Sequence, residues 1–357
     1  MPVRDRSAPD KLTGLLGAVI SAAWGVSGRV RQPPGLPSRE RTHTLRVAHR
    51  QVVAHDENVV ALTLTAADRK PLPPWFPGAH VDIHLPSGRV RQYSLCGDPD
   101  RLEDYRIAVR RIPDGGGGSV EVHDGLPVGA TVTTTGPRNA FPLSMPGYGS
   151  PARRFRFIAG GIGITPILSM LRQAQRLGVD WSMIYVGRSA DSLPFVDEVC
   201  AYGDHVQIRT DDVHGLPTAD VLLGECPDDT AVYACGPAPM LTAIRGRLAG
   251  RDSVELHFER FAAPPVVDGN EFSVRIASSG EVIDVGADET LLSALRRCGI
   301  AAPYSCQQGF CGTCRIQVLG GDVDHRDTLL TEPERSAGTM LTCVSRAHTA
   351  ERLVLDL

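Results

Sequence analysis

Short segments in which apolar and polar residues alternate occupy the first folded part of the chain. Residues 45–47, 59–64, 80–85 and 105–109 follow this pattern, and turns rich in proline and glycine separate them. A period of two residues sends alternate side chains to opposite faces of a strand. The pattern predicts short antiparallel strands that close into a small β-barrel over residues 44–150.

The pattern changes after residue 150. Residues 155–159 predict a buried strand, residues 160–166 read Gly-Gly-Ile-Gly-Ile-Thr-Pro, and residues 167–177 show helical spacing. A strand, a glycine turn and a helix form the phosphate-binding start of a dinucleotide-binding fold. Further strands and a helix predict an α/β domain with a doubly wound parallel sheet over residues 151–262. The strands are expected at 182–186, 206–209 and 231–234, and the helix at 239–248.

The last part of the chain, residues 263–357, combines a hairpin with a short helix after a proline-rich linker. Strands are predicted at 272–276 and 282–285, and helical spacing over 290–298 follows the N-cap candidate Asp288. This combination predicts an α+β domain of the β-grasp kind.

Four cysteines in this last part have the spacing C-x4-C-x2-C…C, which is typical of plant-type [2Fe–2S] clusters. They are Cys306, Cys311, Cys314 and Cys343. Gly309 and Gly312 lie between the first three, where a tight loop needs close approach or positive φ. A zinc site is the alternative, but zinc knuckles usually repeat a C-x2-C pair and only one such pair is present. A one-electron centre requires a second group that converts two-electron to one-electron chemistry.

Composition narrows the possible partners and compartment. The 357 residues carry a net charge of −4 with mixed signs, which argues against nucleic acid as a partner. Residues 1–43 are expected to be an extension and linker, in which the apolar stretch 12–26 is too short to span a bilayer but could touch a membrane surface weakly. No clear cleavage site follows it, so we expect a cytoplasmic protein. The remaining cysteines are scattered, as in a reduced protein: Cys96, Cys200, Cys226, Cys235 and Cys298.

Two stretches of the predicted barrel carry candidate cofactor ligands. At the end of one strand, Arg91 can pair with a phosphate, Tyr93 can cover an aromatic cofactor, and Ser94 can hydrogen-bond a ring nitrogen. The alternative is an ordinary strand with one exposed arginine. A glycine run at 115–118 precedes Ser119 and a short helical stretch, where N–H groups can face an anion, although most such runs are flexible turns.

A third stretch, Cys235-Gly236-Pro237, follows a predicted strand of the parallel sheet. Ligands of open α/β sheets bind at the carboxyl ends of the strands, which makes this turn a candidate for nucleotide contact. The alternative for Cys235 is a small packed residue.

In their order along the chain, these motifs resemble the phthalate dioxygenase reductase family, which includes vanillate demethylase reductases. The resemblance covers residues 44–357 and implies a barrel that binds FMN, a domain that binds NADH, and a ferredoxin domain that passes single electrons to a terminal oxygenase. By this resemblance Arg91, Gly117, Gly118 and Ser119 hold the FMN phosphate, and Tyr93, Ser94, Ala108, Val109 and Arg110 contact or line the isoalloxazine. An aromatic ring from residues 258–261 is expected near the flavin.

The same resemblance assigns the nucleotide site. It comprises Gly160, Gly161, Gly163, Thr165, Pro166, Arg188, Asp191, Cys235, Gly236 and Pro237, with Ser94 and Cys235 as the catalytic candidates. FMN is expected rather than FAD, because no adenine platform is evident in the barrel. NADH is expected rather than NADPH if Asp191 faces the ribose, whereas Arg188 and Ser189 could accept a 2′-phosphate.

The family resemblance leaves the electron acceptor open. A Rieske-type aromatic-ring dioxygenase or an O-demethylase is the expected partner, and a cytochrome P450 or a desaturase is the alternative. A different class of function, a redox sensor that binds nucleotide without turnover, is also compatible with the motifs.

Overall fold

The computed structural model describes most of the chain from Thr42 to its last residue. The described ranges are 42–113, 116–146, 149–261, 266–304, 307–309, 312–327, 329–348 and 352–357. Cys306 and Cys311, two of the predicted cluster ligands, and the 1–43 extension up to residue 41 lie outside them.

The first part of the described chain forms a six-stranded antiparallel sheet with the order β4-β3-β6-β1-β2-β5. Its strands are β1 (Thr42–Val52), β2 (Val59–Ala66), β3 (Ala79–His84), β4 (Val90–Ser94), β5 (Asp104–Arg110) and β6 (Thr131–Asn139). Inward side chains such as Leu62, Leu64 and Val81 are fully buried, as the alternating pattern predicts. Helix α1 (Gly118–Gly125) follows β5 and buries Val122 against this core.

The second part contains a five-stranded parallel sheet with the order β11-β10-β9-β12-β13. Short strands β7 (Met145–Pro146) and β8 (Gly149–Ser150) precede it. Its strands are β9 (Arg154–Gly160), β10 (Asp180–Gly187), β11 (Val206–Thr210), β12 (Thr230–Cys235) and β13 (Glu255–Glu259). The helices are α2 (Ile164–Leu177), α3 (Val196–Cys200), α4 (Asp211–His214), α5 (Ala219–Leu223) and α6 (Ala238–Leu248).

Both faces of this parallel sheet are covered by helices. Phe157 of β9 packs with α2 in one hydrophobic core, whereas its neighbour Ile158 packs with Leu241 and Ile244 of α6 in another. Alternate side chains of one strand thus enter two separate cores, which is the predicted doubly wound arrangement.

The third part contains a mixed five-stranded sheet with the order β15-β14-β20-β16-β18. The strands are β14 (Phe272–Ile276), β15 (Val282–Val285), β16 (Arg315–Gly320), β17 (Val323–Asp324), β18 (Thr339–Leu341), β19 (Arg346–Ala347) and β20 (Leu353–Leu355), with helices α7 (Leu291–Arg297) and α8 (Glu332–Ser336). The N-cap of α7 is Thr290, whose hydroxyl accepts a hydrogen bond from Ser293 N at 3.1 Å. The expectation of Asp288 as the cap was therefore wrong by two residues.

The three sheets give the expected fold class: an antiparallel flavin-type barrel, a doubly wound α/β domain and an α+β domain. Among the described residues, no helix has both the length and the apolar character needed to cross a membrane.

Candidate functional site

A cavity of about 280 Å³ opens beside the barrel, and most of the residues predicted to bind the flavin line it. The predicted residues that line it are Arg91, Tyr93, Ser94, Ala108, Val109, Arg110 and Ser119. They come from the ends of β4 and β5 and from the first turn of α1. Thr165, expected at the nucleotide, lines this cavity instead.

The glycine run at the start of α1 makes room for an arginine. A Cβ on Gly118 would lie 2.5 Å from Arg91 Nε, so a larger residue would displace that side chain. Gly117 has a φ of 80°, a conformation that favours glycine. Arg91 Nη2 donates to Gly116 O at 3.1 Å, and Ser119 Oγ accepts from Ile112 N at 3.0 Å. An arginine, a serine and backbone N–H groups at one place could hold a phosphate.

The deeper wall of the cavity is uncharged. Ser94 is buried, and burial raises the pKa of Tyr93, which keeps its phenol neutral. His80 pairs with Ser94 across β3 and β4 and also lines the cavity. Burial, reinforced by the charge of Arg138, lowers the pKa of His80 to about 4, so this imidazole is neutral at physiological pH. Sequence reasoning missed His80, although its position in an alternating strand signalled a side chain near this wall.

Glu259 at the end of β13 is a second missed residue. It lines the same cavity, is 9% exposed, and its Oε2 has no hydrogen-bond partner among the described residues. Burial raises the pKa of this carboxyl to about 8. The cavity therefore contains a carboxylic acid that is mostly protonated at neutral pH. Phe261, two residues later and 47% exposed, also lines this cavity and belongs to the segment 258–261 from which an aromatic ring was expected.

The loop of the third part of the chain that carries the cysteines also reaches this cavity. Gln307 and Gln308, which follow the predicted cluster ligand Cys306, line it. Gln308 Nε2 donates to the carbonyl of Arg260. The cavity is therefore shared by the barrel, the parallel-sheet domain and the cysteine-bearing loop.

A second cavity of about 490 Å³ lies at the carboxyl ends of the parallel strands. Gly160, Gly161, Arg188 and Pro237 line it, as predicted. Arg110 and Ile162 line both cavities, so the two are adjacent. The cavity could hold a dinucleotide whose reactive end faces the first cavity.

Glycine is required at positions 160 and 163 because the chain passes very close to the turn at residues 235–237. A Cβ on Gly163 would lie 2.2 Å from Cys235 O, and one on Gly160 would lie 2.6 Å from Pro237 Cδ. Glycine thus lets the start of α2 approach the Cys235-Gly236-Pro237 turn. Pro166 is buried in the first turn of α2.

Six of the predicted nucleotide residues do not line the second cavity: Gly163, Thr165, Pro166, Asp191, Cys235 and Gly236. Asp191 is exposed, and its Oδ1 lies 3.6 Å from His55 Nδ1; the acidic residue that lines the cavity is Asp211, directly after β11. Cys235 is fully buried in the core beneath the turn and lines neither cavity, and burial raises the pKa of its thiol well above the usual range. Packing is the role that these contacts support for Cys235.

The described half of the predicted metal site is a pair of buried cysteines. Cys314 and Cys343 are each 2% exposed, and their Sγ atoms are 3.2 Å apart although 29 residues separate them. Gly309 and Gly312 have φ values of 81° and 75°, as expected for the tight loop. Two sulfurs converging at this distance fit ligands of one iron, and Cys306 and Cys311 would supply the other two.

A cavity beside the barrel, an adjacent cavity at the carboxyl ends of the parallel strands and two converging cysteines are the features of the class of NAD(P)H-dependent flavin iron–sulfur reductases. The family model of the 2Fe-2S iron-sulfur cluster binding domain matches residues 274–348. The chain is 41% identical to the vanillate O-demethylase oxidoreductase of Pseudomonas sp. (strain HR199 / DSM 7063), over 86% of this chain and 97% of that protein.

Two solved structures are similar over most of the chain. Phthalate dioxygenase reductase, described as a modular structure for electron transfer from pyridine nucleotides to [2Fe–2S], is 33% identical, with 90% of this chain and 99% of that chain covered and a TM-score of 0.66. An intact type IV self-sufficient cytochrome P450 monooxygenase is 38% identical, with 92% of this chain and 43% of that chain covered and a TM-score of 0.67.

The chain belongs to the phthalate dioxygenase reductase family. It is an oxidoreductase that transfers electrons from a pyridine nucleotide to a [2Fe–2S] cluster. The expected [2Fe–2S] cluster and pyridine nucleotide are confirmed.

Proposed function

We propose that the protein takes electrons from NADH and delivers them singly to a terminal oxygenase, either a Rieske-type aromatic-ring dioxygenase or an O-demethylase. One observation carries the proposal: the barrel, the parallel-sheet domain and the cysteine-bearing loop line a single cavity. FMN supplies the conversion of hydride to single-electron transfer. Each NADH becomes NAD⁺ and yields two electrons, so two one-electron reductions of the acceptor balance each turnover.

The proposed flavin ligands follow the walls of the first cavity. Arg91 and Ser119, with the N–H groups of Gly117 and Gly118, would hold the phosphate. Tyr93 and Ser94 would contact the ring system, which Ala108, Val109 and Arg110 would line. Tyr93, Ser94 and His80 on the buried part of this wall are neutral, whereas Arg110 would place a positive charge beside the ring.

The proposed nucleotide and metal ligands follow the sheet edge and the cysteine spacing. Gly160, Gly161, Gly163 and the Gly236-Pro237 turn would admit the diphosphate, and Arg188 would border the ribose. Cys306, Cys311, Cys314 and Cys343 would hold the cluster. The proposed boundaries are 1–43, 44–150, 151–262 and 263–357. We place the protein in the cytoplasm, where NADH is available.

A cytochrome P450 is the second candidate acceptor. It is supported by the similarity to a self-sufficient P450, in which the matching region is 43% of a longer chain. NADH-driven reduction of each purified acceptor separates the two candidates. The KM for the physiological acceptor should be lower by at least tenfold than the KM for the other.

The change Cys311→Ser tests the proposed electron path. It should abolish NADH-driven reduction of cytochrome c while sparing reduction of ferricyanide, because the flavin and nucleotide parts need no cluster for that reaction. The control is Cys298→Ser, at an exposed cysteine outside the cluster spacing, and it should leave both activities unchanged. Equal loss of both activities in the Cys311 variant would reject this path, and nucleotide binding without turnover in the unmodified protein would identify a sensor.

A further inference from the structure

Two side chains that flank Cys306 connect the cysteine-bearing loop to the rest of the molecule. Tyr304 lies two residues before Cys306, and its hydroxyl accepts a hydrogen bond from Arg91 Nη1 at 3.1 Å. Gln308 lies two residues after Cys306 and donates to the carbonyl of Arg260. One contact therefore reaches the barrel and the other reaches the end of the parallel-sheet domain.

The Tyr304 ring is held between two arginines from different domains. The Arg296 guanidinium, at the end of α7, lies 4.6 Å from the ring centroid, and that of Arg91 lies 5.7 Å from it. Cation–π contacts of this kind fix the position of a ring and need no second charged partner. Tyr304 is thus anchored on its own domain by Arg296 and presents its hydroxyl to Arg91.

Arg91 can contact Tyr304 and a phosphate at the same time. Among the described residues, its guanidinium donates to Val90 O at 2.9 Å, Tyr304 OH at 3.1 Å and Gly116 O at 3.1 Å. A guanidinium has five N–H groups, so these three bonds leave two for a ligand. A phosphate bound there would restrict the arginine in the orientation that Tyr304 needs, which reduces the conformational freedom lost when the ferredoxin domain docks.

We infer that the Arg91–Tyr304 hydrogen bond couples FMN binding to docking of the ferredoxin domain, so that Tyr304 positions the cluster for electron transfer. This inference rests on the proposed function of the first cavity. Its consequence is reciprocal: bound FMN stabilises the docked domain, and the docked domain increases FMN affinity by the same factor.

The test uses Tyr304→Phe in the full-length holoprotein, which keeps the ring between the arginines and removes only the hydroxyl. Single-turnover mixing with NADH should show an unchanged rate of flavin reduction and at least a fivefold slower reduction of the cluster. The FMN dissociation constant should rise by about three- to tenfold, which is within the range for loss of one ordinary intramolecular hydrogen bond. Variants are compared at equal iron and flavin content.

The matched control is Tyr202→Phe, a partly buried tyrosine that packs edge-on against Trp181 in the parallel-sheet domain. It should change neither the cluster reduction rate nor the FMN dissociation constant. In an Arg91→Lys background, the additional effect of Tyr304→Phe should disappear, because the two changes remove the same interaction. An unchanged cluster reduction rate in Tyr304→Phe, or an equal additional loss in the Arg91→Lys background, would overturn the inference.

A second measurement applies even if the substitution impairs cluster assembly. Hydrogen exchange over residues 291–304 of the unmodified protein should slow when FMN is added to the flavin-free protein, and Tyr304→Phe should lose that protection. Exchange that is independent of FMN in the unmodified protein would also overturn the inference. Failure of NADH to reduce the flavin in the unmodified protein would instead reject the proposed function.

Discussion

At the scale of single residues, Glu259 is the most perturbed acidic group of the first cavity. Its carboxyl is almost completely buried, and burial raises its pKa to about 8 from an ordinary value of 4.5. Between these two pH values the folded protein binds more protons than the unfolded chain. The free energy of unfolding therefore falls as pH rises through this window.

We expect Glu259→Gln to reduce this pH dependence. A neutral amide of the same size cannot ionise. Between pH 5 and pH 8 the free energy of unfolding of the variant should therefore fall less than that of the unmodified protein. The difference between the two slopes is at most about 1.4 kcal/mol per pH unit. Melting temperatures of the holoprotein at several pH values measure the difference. Glu271→Gln, at an exposed position, is the control and should follow the unmodified protein. Parallel curves for the Glu259 variant and the unmodified protein would contradict the expectation.

Single residues can also set the preference for NADH or NADPH, and the acidic residue placed to do so is Asp211 and not Asp191. Asp191 faces His55 on the surface, whereas Asp211 lines the nucleotide cavity together with Arg188. A carboxylate in the cavity accepts hydrogen bonds from ribose hydroxyls and repels a 2′-phosphate.

Asp211→Asn should therefore raise the ratio of kcat/KM for NADPH to that for NADH by about tenfold, equivalent to 1.4 kcal/mol of relieved repulsion. Asp191→Asn serves as the paired variant and should leave the ratio unchanged. Steady-state reduction of ferricyanide with each nucleotide gives both ratios. If the ratio changes in the Asp191 variant and not in the Asp211 variant, the prediction is wrong and the loop after β10 contacts the ribose.

At the scale of elements, the start of α2 depends on the absence of a side chain. Gly163 has an ordinary helical φ of −62°, so the constraint on it is space and not backbone conformation. A Cβ there would meet a backbone carbonyl that belongs to the buried strand β12, which cannot move easily.

Gly163→Ala should destabilise the parallel-sheet domain by about 1–3 kcal/mol, the usual cost of overpacking, and raise the KM for NADH. Gly246→Ala is the matched control, because it lies in helix α6 with no atom within 4 Å of the added Cβ. That control should be neutral or stabilise the protein by up to about 1 kcal/mol. Thermal unfolding separates the two variants, and equal melting temperatures would show that the turn can relax around a methyl group.

At the scale of the whole molecule, a charged network joins the barrel to the parallel-sheet domain. Glu198 in α3 accepts from Arg106 of β5 at 2.8 Å and also pairs with Arg172 of α2. Arg172 in turn donates to the barrel carbonyls of Cys96 and Gly97 at 2.9 Å and 2.6 Å. These contacts join the two domains whose residues line the first and second cavities.

Glu198→Ala should lower the melting temperature and slow NADH-dependent ferricyanide reduction several-fold, because it leaves two arginines without their shared carboxylate. The expected loss of stability is about 1–3 kcal/mol for a partly buried group with charged partners. Asp220→Ala removes the exposed ion pair with Arg247 and should cost less than about 1 kcal/mol. A Glu198 variant with unchanged turnover would mean that other contacts align the two cavities.

Much of the architecture could be read from the sequence because it depends on local patterns. Alternation with a period of two residues, the strand–glycine–helix order and the cysteine spacing each report on neighbours within one segment. They predicted three folded parts, and the family resemblance implied that Arg91, Tyr93, Ser94 and Ser119 share one cofactor; these four residues line one cavity. Domain boundaries and individual ligand roles stay predictions.

Only the tertiary structure could assign residues whose role depends on distant neighbours. Burial in the folded protein raises the pKa of Glu259 to about 8. Asp211 lines the second cavity, whereas Asp191 is exposed and lies beside His55. Tyr304 meets Arg91 across 213 residues of sequence. The sequence by itself determined the three kinds of domain and the [2Fe–2S] cluster, since these are encoded in local patterns and in the spacing of short motifs. The contacts that align those domains join segments far apart in the chain, and for that reason only the folded molecule decided them.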